Sequence, residues 1–177
     1  MSISKRIPSI EKILPVYAVI VMVIYTWTIF RYFWNAPSWV LYSTIGEFIT
    51  IYAYMVVVNF IESLLVLLVP VLMSIILPAK WFYTRFESKG VLLVSLGLGY
   101  LLYLNQNLYG LDSFPLELVS WMPVAAIAIL VLVFVLDRID FLCKILLEIA
   151  NRLTVFLYIF IPISLVSLLI VLIRNIF

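Results

Sequence analysis

The chain has 177 residues, 67% of them hydrophobic and 11% charged, with a formal net charge of +2. Soluble domains average about 45–50% apolar and 25% charged residues, so a chain this short could not hide its apolar surface from water, and the composition demands a lipid bilayer as solvent. With no histidine, histidine-ligated haem, zinc or copper and imidazole catalysis are excluded; the single cysteine, Cys143, allows no intrachain disulfide, and no basic run with interleaved aromatics suggests nucleic acid.

The sequence predicts an all-α, polytopic helical bundle in one membrane domain. Its five spans fall at about 13–34, 44–77, 91–109, 118–136 and 153–174, with an amphipathic helix over 137–152 at the inner surface or projecting as an extension of the fourth or fifth span. A four-span bundle with a re-entrant last segment is the alternative. Ser9 is the expected cap of the first helix, after Lys5 and Arg6. Trp27, Tyr32, Phe33, Trp34 and Trp39 crowd its far end, as aromatics do where headgroups meet hydrocarbon, and Asn35–Ser38 with Pro37 is expected to break it.

The run from Thr44 to Leu77 is the longest apolar stretch, and the other spans are expected to organise around it. Thr44 and Glu47 have the spacing of a capping box. At 34 residues the run makes about 51 Å of helix against a hydrocarbon core of about 30 Å, so its ends overshoot the core or Pro70 kinks it. Tyr52, Met55, Asn59, Glu62, Ser63, Val66, Pro70 and Ser74 fall in one stripe of this helix. A carboxyl group in hydrocarbon costs several kcal/mol, so the stripe is expected to face other helices or water.

The third span carries Ser95 and Gly99 at the small-xxx-small spacing that lets helices approach closely. Asp112 lies in the connector to the fourth span, and Pro123 falls in that span's first turns, where a missing amide is tolerated. From 137 to 152, Ile139, Leu142, Ile145, Leu146, Ile149 and Leu153 mark one apolar face. Asp140, Lys144, Glu148 and Arg152 form an i,i+4 ladder of alternating charge on the other.

Nine of the eleven Lys and Arg residues fall on one side of a five-span chain: Lys5, Arg6, Lys12, Lys80, Arg85, Lys89, Arg138, Lys144 and Arg152. Arg31 and Arg174 fall on the other. That bias predicts a multi-pass protein of the cell membrane with a cytoplasmic N-terminus and an outside C-terminus.

Asn59, Glu62 and Ser63 are the candidate site, either an ion- or proton-handling carboxyl with two flanking oxygen donors or an interhelical hydrogen-bond anchor. Arg31 is the candidate counter-charge, or a cation reaching to the outer headgroups. The sequence contains no phosphate-binding glycine loop, nucleophile elbow or zinc pattern, and no cofactor or metal is expected. Three functions follow. The first is a non-enzymatic subunit or accessory protein of a membrane assembly, partnered by copies of itself or by other membrane subunits. The second is an oligomeric transporter or channel component with Glu62 in the pathway. The third is a lipid-modifying membrane enzyme.

Overall fold

A computed structural model describes residues 8–108 and 115–176; Lys5, Arg6 and the connector holding Asp112 lie outside them. Five α-helices follow one another: α1 (Ile10–Val40), α2 (Ile45–Ile76), α3 (Phe86–Leu108), α4 (Leu116–Leu136) and α5 (Asp140–Ile176). The 3-10 turn Tyr83–Arg85 leads into α3. α1, α2, α5 and α3 with its leading turn are long and apolar enough to cross a membrane, and α4 contributes the shorter apolar stretch Ser120–Leu136. The result is an all-α helical membrane bundle.

Directions follow from pairs at the helix ends. Asp137, just past α4, accepts a hydrogen bond from Ser88 at the start of α3, so α3 and α4 are antiparallel. Lys12, Phe86 and Asp140 border one cavity, so α1, α3 and α5 all begin at the same end of the bundle. At the opposite end, Asn175 near the close of α5 donates to the Tyr54 hydroxyl in the first third of α2. The helices therefore run alternately up and down.

The organising helix is α1, not the longer apolar run of α2. Val16, Ala18, Ile20, Val21 and Tyr25 of α1 are almost wholly buried, and α2, α3 and α5 pack around them. On α2 the buried positions are Ala53, Val56, Asn59, Ser63, Pro70 and Ser74, a single stripe facing the hub. α4 leans chiefly on α3 and stands apart from α2. This leaves an apolar groove of about 560 Å³ between α2, α3 and α4, whose walls include Val66, Met73, Gly97 and Ala126.

Three local expectations change. Ser9 precedes α1, but its side chain caps nothing; its carbonyl accepts from the amides of Lys12 and Ile13 instead. α1 also continues through Pro37 to Val40. Pro37 removes the amide partner of the Phe33 carbonyl, while the carbonyls on either side gain side-chain donors: Asn35 donates to Arg31 at 2.9 Å and Ser38 to Asn35 at 2.7 Å. Of the two placements expected for the 137–152 segment, the structure shows the extension of the fifth span: residues 140–152 open α5 and continue into it. Its packed seam is Cys143, Leu146, Leu147 and Ala150, whereas Leu142, Ile145 and Ile149 of the expected apolar face are exposed. Small residues at Cys143 and Ala150 let α5 sit close to its neighbours, which hydropathy alone does not register.

The capping box forms as its spacing predicts. The Thr44 amide donates to Glu47 Oε2 at 2.7 Å, and the Glu47 amide donates to Thr44 Oγ1 at 3.4 Å. Beside it Tyr32 packs against Trp39, Phe48 and Tyr52 and donates to the Phe48 carbonyl, closing the α1–α2 corner.

Candidate functional site

The three residues of the α2 candidate site separate into two environments. Asn59 and Ser63 are buried at 4% and 0% exposure, whereas Glu62 is exposed on the outer surface of α2. Successive helical residues are about 100° apart, so Glu62 sits at the edge of the stripe whose centre is Ser63. Asn59, Ser63, Pro70 and Ser74 of the expected stripe face other helices of this chain, and Glu62 does not.

Inside the bundle the polar groups are linked helix to helix. Ser63 Oγ gives its one proton to the Phe60 carbonyl at 2.8 Å, so the Tyr17 hydroxyl, 3.3 Å away, is the donor to Ser63. The same logic applies where α5 meets α1. Ser164 donates to the Phe160 carbonyl at 2.6 Å, and Tyr25 donates to Ser164 at 2.6 Å. Thr28 completes the set with a 2.9 Å hydrogen bond to Asn59 Oδ1. Each link joins α1 to α2 or α5 within the hub, and each serine oxygen is both donor and acceptor.

Glu62 contrasts with them. It lies about 26 Å along α2 from Ile45 and about 21 Å from Ile76, the middle of the span. Among the described residues it makes no hydrogen bond and no ion pair. Its surroundings on the helix surface are the exposed side chains of Val58, Ile61, Leu65 and Val69. It also shares a face with Val66, Val69 and Met73, which wall the groove between α2 and α4.

Arg31, the candidate counter-charge, points elsewhere. It donates to Asn105 Oδ1 at 3.2 Å near the far end of α3 and lies over the Trp27 ring at 5.7 Å; no ion pair joins it to Glu62. Ser95 is half-buried and Gly99 exposed, and a Cβ at Gly99 would meet nothing within 4 Å. Within this chain the close helix approach occurs instead at Gly90, where a Cβ would lie 2.9 Å from Val16 Cγ2.

A second polar cluster, absent from the sequence reading, closes the basic end. The side chains of Lys89 and Asp137 are 8% and 9% exposed, and their charged atoms are 3.5 Å apart. Lys89 also donates to the Trp81 carbonyl and lies 5.2 Å from the centre of the Phe134 ring. Asp137 accepts from Ser88 Oγ at 2.8 Å, and Arg85 donates to its backbone carbonyl at 2.8 Å. The carboxylate thus rests on the first turn of α3, where the helix dipole favours a negative charge. Spacing gives no signal of this cluster, because its halves lie 49 residues apart, on the first turn of α3 and just past the end of α4.

The charge ladder of α5 is rearranged by the same cluster. Glu148 and Arg152 pair at 2.6 Å as their spacing predicts. Asp140 is held at 3.2 Å by Arg85 from the 3-10 turn, not by Lys144. Among the described residues, no group of three or more Cys, Asp or Glu side chains could hold a metal ion. No family model, curated protein or solved structure matches the chain.

Proposed function

We propose that this protein is a non-enzymatic subunit of a membrane assembly, joined to a second copy of itself through the outer face of α2 with Glu62 at the centre of the contact. The observation that carries this reading is the position of Glu62: mid-span, exposed and without a polar partner on an apolar helix surface. Facing lipid, that carboxyl group costs several kcal/mol; facing another helix, it gains a hydrogen-bonding partner. A two-fold contact of α2 against α2 brings the two Glu62 side chains together, so that one carboxylic acid donates to the other. The basic asymmetry supports a cytoplasmic N-terminus and an outside C-terminus for each copy.

The test is the molecular mass of purified wild type, Glu62→Gln and Glu62→Leu in detergent and in lipid nanodiscs. Wild type runs as a dimer, and Glu62→Gln keeps it because the amide still donates and accepts. Glu62→Leu weakens the dimer by about 3- to 30-fold, the range of an interhelical hydrogen bond in a membrane. In a Cys143→Ser background, Leu65→Cys cross-links between copies. A monomeric wild type in both media overturns the reading.

The groove beside Glu62 favours a second reading, in which the carboxyl group serves a transport pathway. In that case wild-type vesicles carry a proton or cation flux that Glu62→Gln abolishes while folding normally.

A further inference from the structure

Where α1, α3 and α5 begin, a cavity of about 290 Å³ opens at the basic end of the bundle. Its cations come from three separate elements: Lys12 of α1, Arg85 of the 3-10 turn and Lys144 of α5. Glu87 and Asp140 are the acids on its wall, and Thr84 and Ser88 add hydroxyls.

The ion pairs decide which of these charges is available. Arg85 is committed, 3.2 Å from Asp140 and 3.8 Å from Asp137. Lys144 has lost both of its ladder partners, Asp140 to Arg85 and Glu148 to Arg152. Among the described residues Lys12 has only the Tyr83 ring, 5.9 Å from its ammonium. Among the described residues neither lysine makes an ion pair, and both border the same cavity. Two uncompensated ammonium groups therefore face one uncompensated acid, Glu87. The first turns of α3 and α5 open onto the same space, and their dipoles add positive potential.

We propose that this cavity binds a phosphate group between Lys12 and Lys144. Its place at the end of three membrane helices matches the depth of phospholipid headgroups, and Phe86 and Leu147 on its wall suit the ester end of such a molecule. A phosphate on a soluble molecule offers the same chemistry, so the two sources are distinguished by experiment. The proposal does not depend on Glu62 or on oligomeric state.

The test measures binding to the full-length protein in an uncharged detergent by native mass spectrometry and thermal shift. The probes are dioctanoyl phosphatidic acid, dioctanoyl glycerol with the same chains and no phosphate, and inorganic phosphate. Phosphatidic acid raises the melting temperature and dioctanoyl glycerol does not. In Lys12→Gln/Lys144→Gln the half-saturating concentration of phosphatidic acid rises at least tenfold. In Lys80→Gln, an exposed cation outside the cavity, it is unchanged. Lys144→Arg retains binding, and if the double variant does not fold, Lys144→Gln against Lys144→Arg carries the comparison. Competition by inorganic phosphate identifies a soluble source, and its failure to compete identifies the lipid headgroup. Equal binding of dioctanoyl glycerol, or unchanged binding after loss of the lysine charge, overturns the proposal.

Discussion

At the scale of single residues, the direction of the buried hydrogen bonds has consequences that distances alone do not reveal. Because Ser164 sends its proton to its own helix and accepts from Tyr25, the two partners are not equivalent. Tyr25→Phe leaves Ser164 satisfied and costs about 1 kcal/mol, as for an interhelical hydrogen bond in lipid. Ser164→Ala strands the Tyr25 hydroxyl in the core and costs about 1–3 kcal/mol. Unfolding titrations in mixed micelles compare the two, and equal losses would contradict this donor assignment. Lys89 and Asp137 are more sensitive. Asp137→Leu leaves a buried ammonium without its anion and costs about 3–5 kcal/mol, while adding Lys89→Met recovers most of it. The burial of Asn59 and Ser63 is legible in the sequence because a helical period selects them. The outward direction of Glu62 is not, since one residue's rotation carries a side chain from the buried stripe to the surface.

Among whole helices, hydropathy makes the all-α membrane bundle legible, and the capping box marks the start of α2 to the residue. They did not say which helix is the hub. α1 takes that role because its buried face holds side chains for three neighbours, with Gly90 of α3 pressed on Val16. Val16 is itself fully buried, so a methyl group at 90 forces its branched side chain to shift within a filled core. Gly90→Ala is expected to destabilise by about 1–3 kcal/mol in thermal or denaturant melts, and Val16→Ala to relieve part of it. Gly99→Leu leaves the melting of the monomer unchanged, because open space surrounds that position in this chain. A spacing of small residues shows that two helices could meet closely, but not which pair does so. The Asp140–Arg152 ladder is an exposed face, yet half of its pairing is decided by an arginine from another element.

For the molecule as a whole, the distribution of charge predicts orientation. Lys12, Arg85, Lys89 and Lys144 gather at one end of the helices, and Arg31 and Arg174 stand near the other. In a Cys143→Ser background, cysteines at Ser9 and Lys80 are expected to label only from the cytoplasmic side and one at Asn175 only from outside. Labelling of Asn175 from the cytoplasm would mean that the final helix does not complete the crossing. This asymmetry, like the helical class of the fold, is legible from the sequence because lipid imposes it on every span. The cavity at the basic end is not legible, since it depends on three helix starts meeting.

The link between Tyr25 and Ser164 spans 139 residues, and this bears on how the chain is made. The central helix is synthesised first, yet the acceptor for its buried hydroxyl is translated near the end. At about 5–20 residues per second, α1 waits roughly 7–28 s in the translocon or bilayer before that acceptor exists. Biogenesis therefore includes an interval in which the future core has an unmet polar group. A chain stopped after Leu136 keeps that defect permanently. In pulse-chase labelling it should be degraded faster than the full chain, and Tyr25→Phe should slow the loss.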